Sequence, residues 1–341
     1  MGRGWEFLRT ALFQFDAESI HEATVNGLER IAGVGWGRAL LRRMSRQDLL
    51  TPALRTRIWD LDFRSVVGLA AGFDKNGRLL RALPHLGFGF AEIGSVTPLP
   101  QSGNTRPRLA RNPAEQAIWN AMGFNNDGVE AVARRLEHAR HSGWIPVDFP
   151  VGVNLGKNKD TSNEEAFRDY LAGASRFLGL ADYLVVNVSS PNTAGLRALQ
   201  QPSELIKILE PVLSVRASKA PRTPVLLKLA PEIAGEALAE LIHALDPLLD
   251  GWIFTNTLQA SPGGISGGPL ALLSRERTFQ AIALTRKPIV SCGGILTPDE
   301  ARVRVNGGAR LVQTYSGYVY GGPEFPVRCG LIATSERGAS S

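Results

Sequence analysis

Cysteine is scarce in this chain. Cys292 and Cys329 are the only two in 341 residues. They form neither a CxxC pair nor a Cys/His metal spacing, which excludes a disulfide framework, offers no metal site and suits a reducing compartment. No run of eighteen apolar residues occurs, so no segment reads as a membrane-spanning helix. The N-terminus lacks an apolar core followed by a cleavage site, which argues against a signal peptide. The net charge is +6. It comes without a large Lys/Arg block or aromatic–basic interleaving, so no nucleic-acid groove is expected. What remains is ordinary globular composition, 44% hydrophobic and 21% charged.

Eight short apolar, β-branched runs follow residue 60. They are 66–72, 90–96, 150–156, 183–189, 224–230, 251–257, 287–294 and 310–316. Most lack polar alternation, as strands buried on both faces of a parallel sheet do. Helical patterns fill most gaps, at 130–138, 164–177, 203–215 and 235–245. This alternation predicts an α/β (β/α)8 TIM barrel over residues 61–341. A doubly wound open sheet is the alternative, but no GxGxxG follows an early strand.

Polar residues recur where these strands end. Lys75 follows the first run and Ser95 ends the second. Asn154, Asn187 and Lys228 lie in the next three. Thr255, Asn256 and Thr257 end the sixth, Gly293 and Gly294 the seventh, and Tyr315, Ser316 and Gly317 the eighth. In a barrel these ends form the active-site mouth, and the loops after the last two strands often bind phosphate. The glycines there let the backbone approach a ligand closely.

The densest chemistry is Asn187-Val188-Ser189-Ser190-Pro191-Asn192-Thr193. Two amides can grip a planar polar ligand through donor and acceptor together. Ser190 can move a proton if something removes its own. The same residues also make an ordinary strand-ending turn.

Residues 1–60 differ in character. Phe7, Leu8, Ala11, Leu12 and Phe15 share a helical face, and Asp16 can cap a second helix carrying Ile20, Ala23, Thr24, Leu28 and Ile31 on one side. Six Arg and one acidic residue stand between Arg38 and Arg57. Such a segment can lie on an anionic membrane surface or cap the barrel.

Several stretches together resemble the quinone-dependent (class 2) dihydroorotate dehydrogenases. They are LFQFDAESIHEAT, GLAAGFDKNG, EIGSVTPLPQSGNTRPRL, MGFNNDG, GVNLGKNK, NVSSPNTAGLRALQ, KLAP, TNT, GGISGGPL and GARLVQTYSG. The resemblance implies an FMN-bearing barrel that oxidises dihydroorotate to orotate in pyrimidine biosynthesis and passes electrons to a membrane quinone. It makes the protein a peripheral one on the cytoplasmic membrane face, with residues 1–60 as the quinone-access segment. Ser190 falls at the position of the base that takes a proton from substrate C5, while hydride leaves C6 for the flavin. Relatives with soluble acceptors carry Cys there. Lys75, Asn120, Phe124, Asn187, Asn192, Thr193, Asn256 and Thr257 fall at substrate positions, with Phe124 and Thr193 along the proton exit. Ala71, Gly72, Lys75, Ser95, Asn154, Asn187, Lys228, Thr255, Ser266, Gly267, Gly293, Gly294, Tyr315 and Ser316 fall at FMN positions. His21, Arg111 and Tyr315 fall at quinone positions.

The chain departs from the family pattern in several places. Ala121 stands where Arg is usual, Trp119 where a smaller aliphatic residue is, and Ser291-Cys292 where Gly-Val precedes the two glycines. The loop from Asn256 to Gly264 is short. Three other readings compete: a paralogue acting on another cyclic amide or enone, a Schiff-base aldolase using Lys228, and a non-catalytic flavin-binding protein.

Overall fold

The eight apolar runs become the eight staves of a closed barrel. The computed structural model describes residues 3–192 and 195–334, the side chain of Arg3 excepted. The staves are β1 (Val67–Leu69), β2 (Phe90–Val96), β3 (Val151–Leu155), β4 (Tyr183–Asn187), β5 (Val225–Leu229), β6 (Gly251–Phe254), β7 (Ile289–Cys292) and β8 (Leu311–Thr314). Each pairs in parallel with its sequence neighbours, and β8 closes onto β1 through Val312↔Val67 and Thr314↔Leu69. All the predicted runs but the second overshoot at their carboxyl ends. The sixth stops at Phe254, because Thr255, Asn256 and Thr257 have left the ladder for the mouth.

Outer helices follow most staves: α4 (Val129–His141), α5 (Ala166–Phe177), α6 (Pro202–Lys219), α7 (Gly235–Leu245), α8 (Gly268–Leu284) and α9 (Pro298–Asn306), then α10 (Ser316–Gly321) and α11 (Phe325–Thr334) after β8. The first gap breaks the expected alternation. Between β1 and β2 stands only a 3-10 turn, Leu83–His85. Gly72, Gly77, Pro84 and Gly87 interrupt that stretch, three of them glycines at positive φ. α11 packs against β1 and α9, on the side this gap leaves bare.

Two small sheets finish the barrel. The hairpin Thr56–Ile58/Leu61–Phe63 crosses its amino end, spanning the expected boundary at residue 60. Trp59 donates Nε1–H to Asp250 O at 2.7 Å, and Phe63 meets Phe90 edge-on at 5.3 Å. At the mouth, strands Leu258–Gln259, Gly264–Ser266, Ala117–Asn120 and Leu109–Asn112 form an antiparallel lid in that order.

Among the described residues, the N-terminal segment holds three α-helices: α1 (Arg3–Leu12), α2 (Ala17–Ala32) and α3 (Gly35–Ser45). Asp16 caps α2 as predicted, accepting from Ser19 N–H at 2.8 Å. The third helix lies in what the sequence presents as a basic segment. The predicted inner face of α2 is only half right. Leu28 and Ile31 pack on the core, but Ala23 and Thr24 are exposed and the fully buried positions are Glu18, Val25 and Ala32. Glu18 is buried because Arg108 meets it: Arg108 Nη2 lies 2.8 Å from Oε1 and Nε 3.1 Å from the same atom. Arg108 also donates Nη1–H to the carbonyls of Ser102 and Asn104, in the loop leading to the lid.

Removing one partner of a buried ion pair strands the other. Glu18→Ala should therefore lower unfolding free energy by about 3–5 kcal/mol, and adding Arg108→Met should recover part of it. Denaturant titration of the two variants measures this. A loss well under about 1 kcal/mol, the scale of an exposed pair, would mean that the pair holds α2 only weakly.

Candidate active site at the carboxyl ends of the strands

The sequence-predicted residues converge on one open-mouthed cavity between barrel, lid and α2. Ala71, Gly72, Lys75, Ser95, Asn187, Ser190, Asn192, Lys228, Thr255, Asn256, Thr257, Gly293, Gly294, Tyr315 and Ser316 all line it. The lid adds Asn120 and Ser266, the loop after it Phe124, and α2 contributes His21. Three predicted residues stand back from its wall. Asn154 is fully buried behind Ser95, and Gly267 starts α8 with φ +88°. Arg111 lays its guanidinium on the Phe13 ring at 4.4 Å and donates to Phe15 O. Thr193 lies outside the described residues.

The cavity floor is a hydrogen-bonded layer crossing the barrel. Glu92, wholly buried in β2, accepts from Gln313 Nε2 at 2.7 Å and from Asn154 Nδ2 at 2.7 Å, with Lys228 Nζ at 3.4 Å. Asn154 Oδ1 accepts from Ser95 Oγ and from Asn187 Nδ2. Asn187 Oδ1 accepts from Ser189 and Asn256, and Asn256 Oδ1 from Thr257 N–H at 2.8 Å. Glu92 and Gln313 went unnoticed in the sequence. Their signal was a lone polar side chain inside an otherwise apolar run, FAEIGSV and LVQT.

Charge in the site follows from burial. Burial alone would lower the Lys228 pKa, but the Glu92 carboxylate holds it above its ordinary value. That disfavours the Schiff-base reading, which needs a neutral amine. Lys75 has no such close partner. Burial pulls its pKa down to about 8, with Glu18 opposing and Arg108 assisting. His21 falls to about 4 through burial and the Lys75 charge, so it is neutral at pH 7. Its ring meets Phe73 edge-on at 5.0 Å and stacks toward Tyr315 at 6.5 Å.

The second half of the wall suits a flat group with an anionic tail. A Cβ on Gly72 would meet only Tyr315, at 3.8 Å, so the backbone there leaves room on the cavity side. The amides of Ser316 and Gly317 belong to the first turn of α10 and have no intrahelical acceptor. Ser266 Oγ reaches Ser316 Oγ at 2.8 Å. Near the mouth, Asn192 Nδ2 donates to Asn120 Oδ1 at 2.7 Å, while its own buried Oδ1 has no partner among the described residues. Ser190 Oγ accepts from Asn192 N–H at 3.2 Å.

Two of the sequence departures meet each other in the lid. Trp119 pairs with Ile265 and donates Nε1–H to Ala260 O at 3.3 Å, in the turn of the short loop. Ala121 keeps only backbone contacts, donating to Arg108 O and accepting from Asn104 Nδ2.

A parallel barrel with ligand-facing amides, a buried Lys–Glu pair and glycine turns at its last two strands is a barrel enzyme built to hold a planar, anionic group. Comparison with known proteins gives the family. A family model described as Dihydroorotate dehydrogenase matches residues 53–330. A protein of Anaeromyxobacter dehalogenans (strain 2CP-C) named dihydroorotate dehydrogenase (quinone) is 44% identical, covering 98% of this chain and 93% of that protein. One of the same name from Thermobifida fusca (strain YX) is 43% identical, covering 96% and 91%. A crystal structure of the Eimeria tenella DHODH in complex with ferulenol superposes with TM-score 0.76 at 35% identity, covering 82% of this chain and 83% of that one. The chain belongs to the dihydroorotate dehydrogenase family.

Lys75 gives the site a pH signature. A carboxylate ligand gains from its ammonium only while the amine is protonated. Affinity for orotate should hold steady below about pH 7 and weaken above about pH 8, by up to about tenfold per unit. Lys75→Met should bind more weakly and without that slope. Calorimetric titration from pH 6 to 9 checks this; a flat wild-type profile would mean that the ammonium does not face the ligand.

Proposed function

We propose that this chain oxidises dihydroorotate to orotate in de novo pyrimidine biosynthesis, with FMN as resident cofactor and a membrane quinone as electron acceptor. One observation carries the reading: Ser190, an amide-lined mouth and a charged Lys228 share one cavity with the paired glycine turns. The near full-length likeness to proteins named for the quinone reaction supports it. Nothing in the cavity favours a different cyclic amide or enone.

Each residue has work that its chemistry allows. FMN, when bound, supplies the hydride acceptor and relays the two electrons to the quinone. Gly293, Gly294, Ser266 and Ser316 would hold its phosphate, while Ala71, Gly72, Ser95, Asn187, Thr255 and Lys228 would hold its ring. Lys228 offers positive charge to the ring edge. Asn120, Asn192, Asn256 and Thr257 present donors and acceptors that a ring with alternating amides satisfies, and a poorer match leaves some of them unpaired. Ser190 would take the C5 proton as its own hydroxyl proton passes to solvent, and the Asn192 N–H on its Oγ would stabilise the negative charge that builds there as that proton leaves. Phe124 and Thr193 would line the proton's way out.

The quinone and the membrane belong to residues 1–60 in this reading. His21 and Tyr315 offer a neutral, ring-lined entry beside the cavity, with Arg111 at the end of α1. The outer surfaces of α1, of the turn after it and of α3 carry Phe7 at 81%, Phe15 at 63% and Trp36 at 70% exposure, beside exposed Leu40 and Met44. Arg42, Arg43 and Arg46 flank a shallow concavity at the end of α3. Exposed apolar side chains among arginines suit an anionic lipid surface. Among the described residues no helix is long and apolar enough to cross a membrane.

The visible spectrum of the purified chain tests the core of the proposal. It should show flavin bands that dihydroorotate bleaches anaerobically; a colourless protein would sink it. Ser190→Ala should keep the flavin and slow the bleaching by about 10²–10⁴-fold, the scale of a lost general base. Raising pH should speed wild type but not the variant. A near wild-type rate in stopped flow removes Ser190 from the role.

The membrane reading is checked on the surface, because truncation would strand Arg108. Trp36→Glu with Leu40→Glu should reduce co-sedimentation with anionic vesicles and slow turnover with a long-chain quinone. Turnover with a soluble dye acceptor should stay unchanged. Undiminished vesicle binding would show that α3 is not the contact.

A further inference from the structure

Beneath the Gly293–Gly294 turn lies a buried polar cluster that the chemistry above does not use. Arg304, in α9, has no exposed surface. It donates Nε–H to Glu300 Oε1 at 2.6 Å, and Nη1–H to Ser274 Oγ at 3.1 Å and Ser291 Oγ at 2.8 Å. Nη2 donates to Ala271 O at 2.9 Å and Gly293 O at 3.2 Å. The acceptors come from α8, β7, the turn and α9 itself. A planar fork with five N–H groups is the side chain able to serve them together.

The bond to Gly293 fixes a direction. The Gly293–Gly294 peptide is trans, so its carbonyl and the following N–H point opposite ways. With the carbonyl anchored on Arg304, the Gly294 N–H points away from the guanidinium, and both glycines line the cavity. The turn has little freedom to choose otherwise. A Cβ on Gly294 would lie 2.1 Å from Ala271 Cα and one on Gly293 2.7 Å from Leu270 Cδ2, with φ +70° and +103°. The guanidinium charge also polarises the peptide, making its N–H end a better partner for an anion. Ser291, a departure from the family pattern, is one of the hydroxyls that seat Arg304; it also bonds Thr278 Oγ1 at 2.8 Å.

We propose that Arg304, seated by Ser291 and Ser274, is a positioning residue that aims the Gly294 amide at the cofactor phosphate. The inference deepens the FMN reading and rests on it. A staple that merely joins α8, α9 and β7 would support every flavin equally, whereas a residue that aims an amide at phosphate serves FMN and not riboflavin.

The test compares FMN and riboflavin affinity of the full chain by flavin fluorescence quenching. Arg304→Lys keeps the charge but brings three donors on a single nitrogen, too few for the five acceptors that Arg304 serves. It should weaken FMN by about tenfold or more, the scale of a lost hydrogen bond to a charged group, and leave riboflavin unchanged. If that variant fails to fold, Arg304→Met with Glu300→Gln removes both partners of the Arg304–Glu300 pair and should show the same split. Equal losses for both flavins, or unchanged FMN affinity, would overturn the inference alone. A wild-type chain that takes up no FMN overturns the functional reading and this inference with it.

Discussion

A carboxylate enclosed in a barrel is the constraint from which the site follows. Glu92 has no water to turn to, and a lone buried charge is costly enough that partners must be found within the fold. It finds the Lys228 cation and the amides of Asn154 and Gln313. Each amide then loses its choice of orientation. Asn154 gives its NH2 to Glu92, so its oxygen must face Ser95 and Asn187. Asn187 therefore turns its own NH2 inward and its oxygen toward Ser189 and Asn256. One charge thus sets the direction of donors along a chain of three asparagines, out to the Thr257 amide at the mouth. A ligand meeting that mouth meets a fixed pattern, which is what rejection of near-isosteres requires.

The N-terminal segment is part of the same electrostatic arrangement. Glu18 answers Arg108, which holds the loop leading to the lid, and the lid aligns Leu109 with Asn120. One turn on from Glu18, His21 enters the cavity wall beside Lys75. Helix α2 therefore touches the cavity and carries His21, one of the three residues proposed for quinone access. Its opposite surface and the exposed sides of α1 and α3 are free of such duties. α1 itself is docked by Trp5 and Arg9, both donating to Tyr320 O. Apolar side chains left outward on helices so firmly tied are not loose ends of a poorly packed cap, and this supports a lipid-facing role for them.

Much of the barrel was legible because a stave buried on both faces has to be an apolar run. All eight staves fall inside the predicted ones. All but one of the carboxyl ends were overshot, for an informative reason: Thr255, Asn256 and Ser316 continue the run in sequence but have left the ladder for the cavity wall. Site residues at strand ends were legible for that same reason. The lid was not, since strands of two to four residues carry no periodicity. Helix α3 was not, since only Gly37, Leu41 and Ser45 of it are buried and its arginines dominate the reading. Glu18 and Arg108 lie ninety positions apart, and no local pattern joins them. Arg304 reads as one more charge on an outer helix.

Most departures from the family pattern share a location that explains how they can coexist with the family's chemistry. Trp119 and the shortened loop brace each other through the Ala260 carbonyl. Ser291 faces Arg304, Thr278 and Ser274, away from the cavity that its neighbour Cys292 lines. Ala121 contributes only backbone bonds. Trp119, Ser291 and Ala121 lie one layer behind the groups that would touch a ligand, and two of these three have a neighbour that satisfies or fills what they alter; Cys292 lies in the cavity wall itself. Close packing requires such pairing, because a lone change of volume or polarity in an enclosed wall has no water to absorb it. Divergence of this kind adjusts how firmly the lid and the glycine turn are held while leaving the donors, acceptors and charges that face the cavity as Glu92 directs them.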